Sequence, residues 1–187
     1  MAPTSSKKAA RSGSVVETGR RATRTEARKK STKTTTKTTK TTKTTAAIRR
    51  RSEPATDRIE RRRSGVHGWG VFATASIPKN KRIVDYAGEK VRTKASIPRQ
   101  QRQLEKGHIW CFEINRAWVR DAEVGGNIAR FINHSCVPNC YVQIVGDTIW
   151  VRAARTIRAG EELAYDYSTD GDKTIRCRCR PGCERML

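Results

Sequence analysis

Up to Trp69 this 187-residue chain contains no aromatic residue, and that gap decides where a core can form. Over residues 1–63 the only β-branched apolar side chains are Val15, Val16, Ile48 and Ile59. A segment so poor in large apolar groups cannot bury enough surface to offset its ordering entropy. Charge divides in the same region. Of a formal net charge of +22, residues 1–52 supply 16 basic and 2 acidic side chains, whereas residues 64–187 hold 20 and 13. The expected organisation is a disordered Lys/Arg/Thr-rich tail over 1–60, one folded domain over 61–170, and a short C-terminal segment over 171–187.

The tail has a pattern of its own. Residues 31–45 contain ten threonines, with Lys33, Lys37, Lys40 and Lys43 spaced by four, three and three. Threonine disfavours helix and no apolar stripe is present, so the stretch reads as extended and low in complexity. Basic clusters flank it, among them Lys7-Lys8, Arg49–Arg51 and Arg61–Arg63. So dense a positive charge points to an electrostatic, sequence-blind hold on DNA. The Lys-Thr pattern resembles the tails of linker-histone-like proteins. No run approaches 18 apolar residues, so no membrane span is expected. The start also lacks the apolar stretch of a secretory signal. Six cysteines without such a signal favour metal binding over disulfides.

Gly68-Trp69-Gly70-Val71-Phe72-Ala73 fits the dinucleotide pattern G-x-G-x-x-[GA]. That mechanism needs a buried strand before the glycines and a helix after them to hold the pyrophosphate. Upstream lies RIERRRSGVH, and Pro78 arrives too soon for a helix. The nucleotide reading fails. Short strands are expected instead at Val71–Ala73, Arg82–Tyr86 and Ile109–Ile114. Gly146-Asp147 reads as a two-residue hairpin turn between Tyr141–Val145 and Thr148–Val151. A short polar helix is expected in 94–106 after Pro98, and a last strand over Glu161–Tyr167. The class is β-rich α+β.

Four islands then follow in order: His67–Ala73, Asp85-Tyr86-Ala87-Gly88-Glu89, Gly126–Cys140 (with Asn133-His134-Ser135-Cys136-Val137-Pro138-Asn139-Cys140) and Gly160–Tyr167. The ordered set resembles the SET-domain family of protein-lysine methyltransferases. Cys177-x-Cys179-x3-Cys183 resembles that family's post-SET motif, with one residue fewer before the last cysteine than the usual pattern. No cysteine-rich cluster precedes residue 64, where the family often carries a further zinc module.

The resemblance implies a fold of several small sheets with a C-terminal pseudoknot, an exception to unthreaded topology. It implies S-adenosylmethionine as methyl donor, with Gly68, Trp69, Gly70, Arg130, Asn133 and His134 along the cofactor. His134 also reads as a structural histidine at the crossing. Tyr167 matches the catalytic tyrosine, Tyr86 the lysine channel, and Tyr165 the position that tunes product state, pointing to mono- or dimethyl-lysine. Cys136 with Cys177, Cys179 and Cys183 matches a closed structural site for one zinc ion, with Cys140 in place of Cys136 as the second choice. Gly107-His108-Ile109-Trp110 stands where substrate-facing sequence lies in the family.

The implied activity is methylation of lysine in a histone or histone-like chromosomal protein by a monomer, with DNA as the tail's partner. Its place is the chromosome: the nucleoid or cytoplasm of a bacterium, a host nucleus for an effector, or the nucleus of a eukaryote. Two alternatives stand beside it. One is a nucleic-acid-binding protein with an idle SET-like domain, and the other is automethylation of the tail, which tethering would favour.

Overall fold

A computed structural model describes Lys7, residues 53–169 and residues 175–187. The expected DNA-binding tail, Lys7 apart, lies outside the described residues. Lys7 belongs to the same compact unit as residues 53–187.

Ten short strands, one helix and two 3-10 turns make up the described residues. In chain order the strands are β1 Ile59–Arg63, β2 Trp69–Ala73, β3 Arg82–Asp85, β4 Glu89–Arg92, β5 Cys111–Asn115, β6 Trp118–Asp121, β7 Asn133–His134, β8 Cys140–Val145, β9 Thr148–Ala153 and β10 Ala164–Tyr165. Helix α1, Thr93–Glu105, joins β4 to β5. The strands form four small sheets, ordered β1-β2, β3-β9-β8, β4-β6-β5 and β10-β7. This is the expected β-rich architecture of several small sheets.

The β8–β9 hairpin is the most local of these elements. Val145 pairs with Thr148 across Gly146-Asp147, and Gly146 adopts φ +59°, which a two-residue turn demands and glycine supplies without strain. Period-two alternation in β9 buries Ile149, Val151 and Ala153. These residues join Val71, Ile83, Ile132, Ile157 and Leu163 in one core, which also takes in Tyr86, Tyr165 and Tyr167.

Three elements differ from expectation. Arg61–Arg63, assigned above to a basic cluster of the tail, lie in β1, and Ala55 is already buried in the core. No apolar alternation announces β1, because its stability comes from backbone pairing with β2 and from guanidinium stacking. Arg61 and Arg63 lie 4.5 and 4.3 Å from the Trp69 ring centroid, and Arg62 lies 4.3 Å from that of Phe72. Helix α1 begins five residues before Pro98 rather than after it. Its buried residues are Ser96, Gln100 and Gln103, which are hydrogen-bonded: Gln100 Nε2 donates to Ser96 Oγ at 2.7 Å and Gln103 Nε2 to Asp121 Oδ1 at 2.9 Å. A buried face made of polar residues leaves no apolar stripe in the sequence. Finally, the run 161–167 contributes only the two-residue β10, parallel to β7.

That parallel pair marks the expected crossing. Ser135 N–H extends it by donating to Tyr165 O at 3.2 Å. Asn139 clamps the incoming chain from its side, donating Nδ2–H to Glu162 O at 2.8 Å while its Oδ1 accepts the Ala164 N–H at 2.9 Å. The β8–β9 hairpin lies in sequence between the two strands of the pair, so β10 must return to β7 after it.

Candidate active site

Three tyrosines converge because two separate elements, β3 and β10, end at one place. Tyr86 follows β3, Tyr165 sits in β10, and Tyr167 is two residues further on. All three are buried, with the Tyr165 and Tyr167 ring centroids 5.1 Å apart and Phe112 5.4 Å from Tyr86. Two of the hydroxyls already donate to backbone: Tyr86 to Trp110 O at 2.9 Å and Tyr167 to Ile132 O at 2.7 Å. Their oxygens can therefore only accept from a further ligand. Tyr165 Oη is buried without a hydrogen-bond partner. Burial holds all three phenols above their ordinary pKa, so they are neutral at physiological pH and act by position rather than as bases.

The space among them holds a lysine amine. Lys7 is fully buried, and its Nζ lies 4.1 Å from the Tyr167 ring centroid, 5.1 Å from Tyr86 and 5.5 Å from Tyr165. The ring faces favour an ammonium, whereas burial without a hydrogen-bond partner disfavours it. Burial wins: it brings the Lys7 pKa from 10.5 down to about 7, against a small upward pull from the Cys111 thiol. Among the described residues nothing in sequence singled out Lys7, since Lys7-Lys8 reads as one more basic cluster.

A cavity of about 450 Å³ adjoins this channel, with Tyr167 in its wall. Its size is that of a small-molecule site. Gly68, Trp69, Arg130, Asn133 and His134, five of the six residues expected along the cofactor, line it. Gly68 stands at φ +46°, where a side chain would be strained. Gly70 does not line the cavity. A Cβ there would meet the Glu162 carboxyl, with Cδ at 2.8 Å, so this glycine leaves room for a carboxyl that Ser64 and Asn133 hold in place. His108 and Trp110, expected to face substrate, stack on each other at 3.9 Å and line the same cavity. Trp110 serves the channel only through its carbonyl. The Arg130 guanidinium lies 4.8 Å from the Trp110 ring centroid, donates Nη1–H to Ala122 O at 3.0 Å, and leaves Nε buried without a partner. An unfilled buried donor, indole walls and this volume suit a ligand with an aromatic base and an anionic or polar end, and S-adenosylmethionine fits that description.

Asn133 and His134 tie cavity, channel and crossing together. Asn133 Nδ2 donates to Glu162 Oε1 at 2.8 Å and to Trp69 O at 3.1 Å, so it fixes the strand that carries Trp69. His134 Nδ1 accepts the Tyr167 N–H at 3.2 Å. Burial lowers the His134 pKa to about 4, outweighing Asp166. The ring is then neutral with its proton on Nε2, which faces Cys136 Sγ at 3.4 Å. The structural reading of His134 accounts for every one of these contacts.

The four cysteines expected at one site come together. The sulfurs of Cys136, Cys177, Cys179 and Cys183 all lie within 4.8 Å of one another, with Cys136 at 3.9 Å from Cys177 and 3.7 Å from Cys183. Tetrahedral thiolate ligation with Zn–S near 2.3 Å puts sulfurs about 3.8 Å apart. The cluster can hold a metal ion. The shortened spacing is accommodated by a turn in which Cys183 N–H donates to Arg180 O at 3.3 Å and Gly182 takes φ +72°. Cys111 and Cys140 are buried apart from the group.

A tyrosine channel around a lysine amine, one tyrosine wall away from a small-molecule cavity, defines a domain shaped to present lysine to a bound ligand. A comparison with protein families agrees: the SET domain profile matches residues 68–168. The chain belongs to the SET domain family. Among curated relatives, "Histone-lysine N-methyltransferase, H3 lysine-4 specific" of Emericella nidulans is 41% identical over 136 residues, covering 67% of this chain and 11% of that protein. The protein of the same description in Yarrowia lipolytica is 37% identical over 150 residues, covering 75% and 12%. This chain thus spans about a tenth of the length of the curated relatives it matches. Among solved structures, a humanized mutant of the Chaetomium thermophilum Polycomb Repressive Complex 2 bound to the inhibitor GSK126 aligns with TM-score 0.52 and 28% identity, over 59% of this chain and 15% of that one.

Proposed function

We propose that this protein transfers a methyl group from S-adenosylmethionine to the side-chain amine of lysine in a histone or histone-like chromosomal protein. The observation that carries the reading is the channel itself: a lysine Nζ enclosed by Tyr86, Tyr165 and Tyr167, with Tyr167 shared by the adjoining cavity. When bound, S-adenosylmethionine supplies a sulfonium-activated methyl group. The chain's part is to deliver a neutral amine in line with it. Burial lowers the amine's pKa and the tyrosine rings fix its position, so most of the acceleration is proximity and orientation. Exclusion of water by the core residues around the channel keeps the amine unsolvated.

Arg130, Trp69, Gly68, Asn133 and His134 would hold the donor, and Gly70 acts through packing. Cys136, Cys177, Cys179 and Cys183 would hold one structural zinc ion, pinning residues 175–187 against the wall they share with the cavity. Through Cys136 the metal would also brace His134 and hence Tyr167. The tail would add a salt-dependent hold on DNA and set the place of action at the chromosome, as the histone-directed names of the relatives suggest. The convergence of Tyr86 and Tyr167 on one amine, with Asn133 and His134 lining the adjoining cavity, supports this reading over an idle domain.

Incubation with methyl-labelled S-adenosylmethionine and core histones tests the reading. Transfer by the wild type and its loss in Tyr167→Phe supports it. A wild-type protein that binds the donor and labels no protein would refute it.

A further inference from the structure

We propose that Lys7 of this same chain is a methylation substrate in cis: its backbone adds to the free edge of β5 and its side chain enters the tyrosine channel. This rests on the methyltransferase reading and names one substrate of that site. The backbone supplies the first argument. Lys7 N–H donates to Cys111 O at 3.0 Å, Glu113 N–H donates to Lys7 O at 2.7 Å, and Lys7 forms a parallel bridge with Phe112. In the sheet ordered β4-β6-β5, strand β5 has no other strand on that side among the described residues. An extended segment pairing with an open sheet edge is a general mode of peptide recognition, in which backbone bonds give affinity and a pocket reads the side chain.

The side chain supplies the second argument. Lys7 Nζ lies over the ring of Tyr167, a residue that also lines the cavity, is fully buried, and makes no hydrogen bond. A lysine docked for stability alone would gain a carboxylate or carbonyl partner, because an unpaired buried amine is costly. Here the cost is accepted, and the result is an amine that is half deprotonated near pH 7, the form able to attack. The Nζ lone pair forms a bond to the donor's methyl carbon. The carbon–sulfur bond breaks with its electron pair remaining on sulfur, which leaves as a thioether, and the methylated ammonium releases its proton to solvent. Reach is no obstacle, since the 45 residues between Lys7 and Glu53 span up to about 150 Å when extended. A tether of that length also raises the effective concentration of Lys7 over that of a free substrate. An occupied channel is closed to other lysines, so Lys7 competes with external substrate.

The test uses the full chain with methyl-labelled S-adenosylmethionine, alone and with core histones. Cleavage after Glu17 releases the tail peptide for tandem mass spectrometry. The expected result is methylation at Lys7 and not Lys8, whether present on purification or acquired, with a first-order rate constant unchanged over a 100-fold dilution. Lys7→Ala is expected to raise the initial rate on histones at least twofold. Histones labelled while Lys7 stays unmodified would overturn the proposal and leave the methyltransferase reading standing. A rate constant that falls in proportion to protein concentration would overturn modification in cis. Label on neither the tail nor histones, with Lys7 unmodified on purification, would refute both readings together.

Discussion

The docked state of Lys7 has a pH signature whose size follows from the channel. An exposed lysine titrates at 10.5, and burial brings Lys7 to about 7. Between those values the unfolded or undocked chain binds the extra proton, so stability rises with pH at about 1.4 kcal/mol per unit. The contribution is fully present above 10.5, is lost as pH falls toward 7, and is constant below. The full span amounts to about 5 kcal/mol. The groups facing Nζ leave the window clear only below about pH 9. Burial pushes the Cys111 thiol up to about 12 and the phenols of Tyr86, Tyr165 and Tyr167 above their ordinary value, so above pH 9 their ionisation in the unfolded chain opposes the Lys7 contribution, while His134 is neutral above about 4. Urea unfolding of the wild type and of Lys7→Met, prepared identically, isolates the effect, because methionine retains the bulk without the titration. From pH 7 to pH 9 the wild type is expected to gain about 2 kcal/mol relative to Lys7→Met. A difference that stays flat, or that shrinks as pH rises, would show that the amine is not buried in the channel.

Three further outcomes follow from the same geometry. Gly70→Ala places a Cβ against the Glu162 carboxyl that Ser64 and Asn133 hold; a loss of about 1–3 kcal/mol is expected by thermal or urea unfolding. Cys183→Ser is expected to abolish near-stoichiometric zinc in metal analysis of protein purified without chelator and to expose 175–187 to proteolysis, and a metal-free wild type would defeat the zinc assignment. Deleting residues 1–52 is expected to weaken DNA binding and flatten its dependence on salt, measured by titration at several salt concentrations.

How much of this was legible beforehand depended on whether the signal was local. Gly146-Asp147 announces its hairpin because a two-residue turn needs those residue types. Asn133, His134, Tyr86, Tyr165, Tyr167 and the four grouped cysteines are each legible because one ordered set of islands carries them. β1 is not, since it is held by partners that sequence periodicity does not report: the backbone of β2 and the rings of Trp69 and Phe72. Helix α1 hides its buried face in Ser96, Gln100 and Gln103, and Pro98 reads as a start when it lies inside the second turn. The role of Gly70 is a contact with Glu162, 92 positions away, that only the fold brings about. Lys7 is the extreme case. Its partners are on β5, β10 and the segments after β3 and β10, and nothing in its own neighbourhood distinguishes it from Lys8.

The two tyrosines nearest in sequence are expected to respond oppositely to the same substitution. Tyr167→Phe removes a hydroxyl that satisfies the buried Ile132 carbonyl at 2.7 Å; an orphaned buried acceptor costs about 1–3 kcal/mol. Tyr165→Phe removes a buried hydroxyl that satisfies nothing, so its stability should match or exceed that of the wild type. Catalysis separates them in the same sense. Without the Tyr167 hydroxyl the ring loses the bond to Ile132 O that fixes its face over the amine, and transfer should fall at least 100-fold, in keeping with the weight of orientation in such reactions. Without the Tyr165 hydroxyl the channel gains room, and first-methyl transfer persists while di- and trimethyl-lysine accumulate. Urea midpoints together with product mass spectra read both effects. Equal destabilisation of the two variants would show that Tyr165 Oη has a partner in solution. Efficient trimethylation by the wild type would show that Tyr165 does not limit the product.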